Sequence, residues 1–393
     1  MSEKKLILKR NRTRSLERRH PWIFSGAVGK LEGDIAPGDL VSIYDHNGEP
    51  LGVGHYQKSS ITVRILDFGV SELPDNFWKD RVFEAWNLRK GLGMPGHSTN
   101  IFRLIHGEGD QLPGLIVDVY GSTAVIQFHD LGMFNAREYI IEALRNLPGA
   151  PIKAIYNKSK DTLHSGAVDN DEGYIYGSPE DESYFENGIP FMINWKTGQK
   201  TGFFLDQRDN RALVEQYAAG KKVLNAFSYT GGFSMYALKG GADLVHSMDI
   251  SEKALELAEG NVSLLGDQYV KRHKTIKADI LKDLKNQKEN YDLIILDPPA
   301  FAKRMSARHR AIQAYKRVNE AALRKLPKGG TLFTFSCSQV VTRPIFEDTI
   351  LAAAINVQRP IRVLHRLSQG ADHPSNIFHP ESEYLKGLVV QVE

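Results

Sequence analysis

The sequence predicts a mixed α/β fold: a doubly wound, Rossmann-like parallel sheet towards the C-terminus, preceded by a small N-terminal β-barrel and an α+β middle domain. Three observations carry this expectation. From about residue 189 the chain alternates short aliphatic strands with helical segments, the pattern of a doubly wound sheet. The first 75 residues or so carry short apolar runs separated by turn signals. The stretch between them mixes strands with helix. The expected domains are therefore residues 1–75, 76–188 and 189–393.

A chain of 393 residues has the length for two or three domains of ~150 residues each. Apolar residues at 41% and charged residues at 25% are ordinary globular usage, which argues against intrinsic disorder. No uninterrupted apolar run approaches the ~18 residues of a membrane helix. Met1–Lys9 lacks the apolar segment of a secretory signal. The single cysteine, Cys337, can form neither an internal disulfide nor a cysteine-based zinc cluster. No metal is assigned, no membrane is expected as a partner, and the cytoplasm is the expected compartment.

In the first domain, strands are expected at Leu6–Leu8, Leu40–Tyr44, Leu51–His55 and Ile61–Leu66. Asn47-Gly48 between two apolar runs favours the positive-φ turn of a hairpin. The middle domain opens with a helix over roughly Phe77 to Leu92. Strands at Phe102–Ile105, Leu115–Val119, Ala124–Phe128 and Ile152–Asn157 accompany a helix at Phe134–Leu147, and Gly107–Gly114 forms a turn-rich loop. In the third domain the strands are Lys222–Ala226, Leu244–Met248, Thr275–Ala278, Leu293–Leu296, Thr331–Phe335 and Gly387–Val392. Helices fall at Gly232–Lys239, Glu252–Leu264 and Ala307–Leu326.

The net charge is only +3, but it is unevenly spread. Residues 1–20 hold eight bases, among them Arg10, Arg12, Arg18 and Arg19, against two acids. Residues 303–325 hold eight more, beginning with Lys303, Arg304, Arg308 and Arg310, against Glu320 alone. Residues 168–187 hold seven acids and neither Lys nor Arg. Clustered bases can track a phosphate backbone, from which clustered acids would be kept away. A solvated face accounts for any one run taken alone. His20-Pro21-Trp22-Ile23-Phe24 sets rings beside the basic arm, which suits RNA; a core position accounts for Trp22 or Phe24 taken singly.

The candidate chemistry lies at the strand ends. Lys222–Ala226 runs through Asn225 and Phe227 into Ser228-Tyr229-Thr230-Gly231-Gly232, where glycine lets backbone approach a ligand and the next helix offers free N–H groups. The turn is not GxGxxG, so a nicotinamide dehydrogenase is poorly supported. Asp249 ends the second strand, 18 residues after Gly231, where a carboxylate can accept ribose hydroxyls. Asp279-Ile280 ends the third, where a carboxylate can meet an adenine amino group. Helix capping accounts for either acid alone. The three strand ends together favour an adenosyl ligand. Asp297-Pro298-Pro299-Ala300-Phe301 ends the fourth strand in a loop stiffened by two fixed φ angles. There Asp297 can hydrogen-bond a base edge and Phe301 can stack on one. Cys337 ends the fifth; a buried structural role is the ordinary fate of a lone cysteine, but this place suits a nucleophile.

These residues resemble one family, the class I S-adenosylmethionine-dependent RNA cytosine-5 methyltransferases of the large-subunit ribosomal RNA type, over essentially the whole chain. The resemblance rests on Arg19–Ala27, which looks like a PUA RNA-binding domain, and on Gly107–Asp118, Lys200–Arg208 and Leu224–Ser234. It rests further on Asp297–Phe301, Phe335–Ser338, Asp372-His373-Pro374 and Tyr384–Gly387. It implies S-adenosyl-L-methionine as cofactor, held by Asn225, Phe227, Tyr229, Thr230, Gly231, Asp249, Asp279, Ile280 and Pro298. Phe204, Asp206 and Arg208 are implied to pack over it or bind it; a helix start capped by Asp206 is compatible with that. Cys337 is implied as a thiolate that adds to cytosine C6, with Asp297 on the N3/N4 edge. Many relatives carry a second cysteine where Pro299 stands here. The target base must be single-stranded or flipped from its stack.

Two other readings remain open. Asp297–Phe301 also resembles the (Asp/Asn)-Pro-Pro-aromatic motif of amino-group methyltransferases, which need no thiolate. A cofactor-binding RNA assembly factor without transfer activity is the other; intact motifs at every strand end argue against it. An exposed edge strand or a middle-domain face could make a homodimer.

Overall fold

A computed structural model describes residues 4–163 and 172–393. The chain forms two compact units, and its sequence passes between them repeatedly. The first comprises residues 1–184, 193–205 and 371–382; the second comprises 185–192, 206–370 and 383–393.

The first unit begins with a six-stranded sheet of β1 (Lys5–Leu8), β2 (Trp22–Phe24), β3 (Val28–Glu32), β4 (Leu40–Tyr44), β5 (Pro50–Tyr56) and β6 (Ile61–Phe68), with one turn of helix α1 (Arg14–Glu17). The order is β2-β6-β5-β4-β1-β3. Alternation on these strands turns Leu6, Leu8, Val41, Ile43, Val63 and Ile65 inward to one core. Asn47-Gly48 makes the β4–β5 hairpin, with Gly48 at φ +90° and the Asp45 carboxylate accepting the Asn47 and Glu49 N–H groups at 2.8 Å. Two strands escape the sequence reading. Strand β3 is polar and largely exposed, so its pattern does not read as a strand, yet it pairs with β1 as an edge. In β2, Ile23 is the core residue, whereas Trp22 is half-buried and Phe24 is 46% exposed. A core role for Phe24 is thereby corrected.

Helix α2 (Phe77–Gly91) follows, then β7 (Ile101–His106), β8 (Leu115–Tyr120) and β9 (Thr123–Phe128). Next come α3 (Leu131–Asn135), α4 (Arg137–Arg145), β10 (Ala154–Asn157) and β11 (Gly173–Tyr176), giving a sheet ordered β11-β10-β9-β8-β7. The single helix expected over 134–147 is two. Asp130 caps α3 by accepting the Met133 N–H at 2.8 Å, and Ala136 both ends α3 and begins α4. Part of the acidic stretch, residues 168–171, lies outside the described residues. Its later carboxylates are tied down: Glu180 pairs with Lys153 at 2.9 Å, and Glu182 accepts the Ser122 N–H at 2.7 Å.

A buried polar network joins distant parts of this unit. The Arg103 guanidinium forks onto Asp118 at 2.7 and 2.8 Å, and Asp118 accepts the Thr201 hydroxyl at 2.5 Å. The Arg103 N–H donates to the Asp372 carboxylate at 3.0 Å, and Arg89 donates to the Asp372 carbonyl at 2.8 Å. In the loop before β8, a Cβ on Gly109 would meet the Pro374 carbonyl oxygen at 1.9 Å, so only glycine fits there.

The chain enters the second unit through the hairpin β12 (Tyr184–Glu186) and β13 (Ile189–Phe191), then α5 (Arg208–Tyr217). Strand β14 (Lys222–Ala226), α6 (Gly232–Lys239), β15 (Leu244–Asp249), α7 (Glu252–Leu265), α8 (Asp267–Val270), β16 (His273–Lys277) and α9 (Ile280–Asp283) follow. The unit is completed by β17 (Leu293–Leu296), α10 (Arg308–Lys325), β18 (Thr331–Ser336), α11 (Arg343–Asn356), β19 (Ile361–Leu367) and β20 (Lys386–Val392). The sheet order is β16-β15-β14-β17-β18-β20-β19, with β20 antiparallel to both of its neighbours. From β14 the chain moves outward to β16 and then returns to β17. This reversal opens a crevice at the carboxyl ends of β14 and β17, the usual ligand edge of such sheets. Helix α11 and strand β19 were not expected. The helix is rich in alanine and apolar around much of its surface, and β19 is an edge strand carrying Arg362, His365 and Arg366, so neither shows a clean period.

Beneath the crevice runs a relay of side chains. Asn225 Nδ2 donates to Ser234 Oγ at 2.9 Å, Ser234 Oγ lies 2.7 Å from Ser247 Oγ, and Ser247 Oγ lies 2.7 Å from His273 Nε2. Burial holds His273 neutral, pushing its pKa down to about 4. A neutral histidine in the fold stabilises above the unfolded pKa near 6.5 and loses that contribution as pH falls through 4. Urea titrations of His273→Gln should therefore show a shallower loss of stability between pH 6.5 and 4 than the parent protein, by up to about 3 kcal/mol.

Candidate active site

The turn after β14 is held in an unusual backbone conformation. Phe227 (φ +60°) and Tyr229 (φ +45°) are left-handed although neither is glycine, and Gly231 sits at φ +78°. Such residues persist only where the surroundings fix them, and they concentrate at functional sites. Here the Tyr229 N–H is bound by Asp249 Oδ2 at 2.9 Å, and the Thr230 carbonyl accepts Asn261 Nδ2 at 2.8 Å. A Cβ on Gly231 would come to 3.0 Å from Ala258 Cβ, which keeps α7 close to the turn. Two polar atoms at this place are buried without a hydrogen bond: Asn225 Oδ1 and Ser228 Oγ. Orphaned buried polar atoms are costly, and a bound polar ligand satisfies them.

Asp249 is not a helix cap. Its Oδ1 accepts the Ser251 N–H at 2.9 Å, and Ser251 itself caps α7. The carboxylate thus joins two strand ends and retains lone pairs for a ligand. Asp279 does cap, accepting the Leu281 N–H at 3.1 Å, and it pairs with Lys282 at 2.9 Å; Ile280 beside it is buried. The Lys282 hydrogen bond holds the Asp279 carboxyl below the usual range.

At the end of β17, Pro298 is buried and Asp297 half-buried. Phe301 lies edge-on to Phe227 at 6.3 Å and against Tyr315 at 4.7 Å. At the end of β18, Cys337 is half-buried with its Sγ 3.9 Å from the Pro298 carbonyl oxygen. The structure therefore brings the two strand-end motifs, Asp297–Phe301 and Ser336–Ser338, into contact. Lys386 lies within the Tyr384–Gly387 string of the sequence, which assigned it no role. It is buried, and its Nζ donates to the carbonyls of Ser338 at 2.8 Å and Val341 at 2.7 Å, immediately after the cysteine. Its signals in the sequence were that string and a lysine opening an otherwise apolar strand.

The string Phe204–Arg208 is spread out. Phe204 belongs to the first unit, with Lys200 Nζ 5.2 Å from its ring. Asp206 is not a cap; α5 starts after Gln207, and the Asp206 carboxylate accepts the Tyr384 hydroxyl at 2.5 Å. Arg208 is buried with its Nε 3.5 Å from Glu186 Oε2. Glu186 is also gripped by Arg211 at 2.8 and 2.7 Å and by the Tyr236 hydroxyl at 3.0 Å.

Lys303, Arg304 and Arg310 are exposed and Arg308 half-exposed; Arg10, Arg12, Arg18 and Arg19 are exposed. Among the described residues none of these eight makes an ion pair. Near the N-terminal arm, His20, His379 and Glu381 gather within 4.8 Å. His20 Nδ1 lies 3.2 Å from the Trp22 nitrogen and 3.3 Å from the Trp22 carbonyl oxygen, and Nε2 faces Glu381 at 3.4 Å.

A family model described as S-adenosylmethionine-dependent methyltransferase matches residues 103–379. The chain belongs to the S-adenosylmethionine-dependent methyltransferases. A PUA-like domain model matches residues 6–68 of this methyltransferase. It is 39% identical to "Ribosomal RNA large subunit methyltransferase I" of Alteromonas mediterranea, over 98% of each chain. It is 37% identical to the protein of the same name from Escherichia coli, over 99% of each. Among solved structures it resembles SMU.776, a proposed methyltransferase complexed with SAH, with TM-score 0.85, 23% identity and coverage of 99% and 100%. That likeness supports the fold. The cofactor of the methyltransferase is S-adenosylmethionine, and the two orphaned atoms at the turn fit its polar methionine end.

Proposed function

We propose that this methyltransferase transfers a methyl group to C5 of a cytosine in large-subunit ribosomal RNA. The observation that carries the reading is Cys337 Sγ at 3.9 Å from the backbone of Asp297-Pro298-Pro299. S-adenosylmethionine, when bound, supplies an electrophilic methyl group. Asn225, Phe227, Tyr229, Thr230 and Gly231 hold its methionine end, Asp249 the ribose, Asp279 and Ile280 the adenine, and Pro298 walls the site. Phe204, Asp206 and Arg208 act by ordering the surrounding segment.

Cytosine C5 is a weak nucleophile. The Cys337 thiolate adds to C6, and the displaced π-electron pair makes C5 enamine-like, able to accept the methyl group. Asp297 holds the N3/N4 edge and steadies the adduct. Loss of the C5 proton re-forms the ring double bond as the C6–S bond breaks, which returns the thiolate. The names of the curated relatives support RNA of the large subunit as substrate.

The test is transfer of tritium from labelled S-adenosylmethionine to RNA lacking the modification, followed by nucleoside analysis. Label in 5-methylcytidine is the expected result. Label in an N-methylated base would transfer the role to Asp297-Pro298-Pro299 alone. The unpaired bases of 303–310 grip RNA beside the target, with the arm Arg10–Arg19 gripping it farther off. Arg308→Glu with Arg310→Glu should weaken RNA binding at least about tenfold at moderate salt and flatten its salt dependence by about two phosphate contacts. An unchanged salt slope in filter binding would remove this assignment.

A further inference from the structure

Resting on the cysteine reading above, we infer that Lys386 is a positioning residue whose ammonium is the counter-charge of the Cys337 thiolate.

Topology brings the two together. Strand β20 runs antiparallel to β18 with Lys386 opposite Ser336, one residue before the cysteine. The lysine side chain is only 4% exposed. Its ammonium has three hydrogens. Two are taken by the carbonyls of Ser338 and Val341, which lie in the loop leaving Cys337. Among the described residues no carboxylate hydrogen-bonds or ion-pairs with it. A buried cation without an anion is costly, and fixed carbonyl dipoles offset only part of that cost.

The surrounding groups leave one candidate for the missing anion. Arg343, on α11, and Glu383, before β20, pair with each other at 2.9 Å and act on Lys386 only over longer range. Tyr315, on α10, hydrogen-bonds Ser338 Oγ at 2.9 Å, and burial holds its hydroxyl up at about 12, so it stays neutral. Asp297, at the end of β17, is assigned to the base edge. The remaining group is Cys337. Burial pushes Lys386 down to about 8, and the negative charge of Cys337 opposes that push. The effect is mutual: an ammonium held beside a thiol favours the thiolate. The third ammonium hydrogen is not taken by either carbonyl, and the Cys337 charge exists only when the cysteine is deprotonated. Lys386 thus keeps the nucleophile ionised near neutral pH and orients it, without touching the base.

The chain contains one cysteine, so alkylation by iodoacetamide reports Cys337 alone. Rates would be measured from pH 5 to 9.5 on the full-length protein, its Lys386→Met and Lys386→Arg variants, and the urea-unfolded chain. The expected midpoint for the folded protein lies at least about one unit below the unfolded value near 8.5. Lys386→Met should raise it by about a unit or more, slowing alkylation at pH 7 about tenfold. Lys386→Arg should restore part of the shift. A folded midpoint equal to the unfolded one would overturn the pairing even where the Met variant fails to fold, and so would identical profiles for the parent and a folded Met variant. Alkylation needs neither RNA nor methyl transfer. A base other than 5-methylcytidine in the product analysis would therefore overturn the C5 reading while this profile still judged the pair.

Discussion

Cys337→Ala is expected to abolish methyl transfer, with a fall of about 10⁴-fold or more, while S-adenosylmethionine binding stays within about twofold. The size follows from losing a covalent step, for which no neighbouring group substitutes. The retained binding follows from the position of Cys337 after β18, which β17 separates from β14 and its glycine turn. A second measurement isolates the adduct. In RNA carrying 5-fluorocytidine, C5 holds no removable proton after methylation, so the C6–S bond cannot break and the complex should survive denaturing gels. The Ala variant should give no such complex. Undiminished transfer by the variant would return Cys337 to the role of a small buried side chain.

Glu186→Ala is expected to cost about 3–5 kcal/mol of stability, read as a lowered midpoint in urea. The Glu186 carboxylate is fully buried and takes both branches of Arg211, the Tyr236 hydroxyl and the Arg208 edge. Its removal takes a shared counter-charge from two buried guanidinium groups, which cannot lose their own charge. The anchored helices, α5 and α6, flank the glycine turn, so cofactor affinity should fall with stability. Glu186→Gln keeps the shape and one acceptor and should recover only part of the loss. A change within 0.5 kcal/mol would mean that water or another anion replaces the carboxylate.

The parallel sheet was legible because its strands are short aliphatic runs that announce themselves without tertiary help. Leu293–Leu296 falls where expected, and the helix expected at Gly232–Lys239 is found there. Asn225, Asp249, Asp297 and Cys337 could be nominated from the sequence because they lie at or next to the ends of those strands, where a doubly wound sheet presents its ligand edge. Edge elements were not. Strands β3 and β19 lack an apolar face, and β16 begins at His273, two residues before the expected start, because its pairing with β15 rather than its own pattern defines it. Asp206 resisted for another reason: its partner Tyr384 lies 178 residues away. Lys386 is the same case in the site itself. A lysine is ordinarily a surface residue, and only the antiparallel register of β20 shows that this one is buried beside the cysteine.

The return of residues 371–382 to the first unit also sets a clock on biosynthesis. The Arg103 backbone receives its Asp372 acceptor from 269 residues downstream. At ~5–20 residues per second, the N-terminal segments wait roughly 13–54 s after residue 103 is made before that bond can form. For that interval Arg89 also lacks the Asp372 carbonyl. A nascent chain halted before residue 371 should thus be markedly more sensitive to protease around β7 than the finished protein.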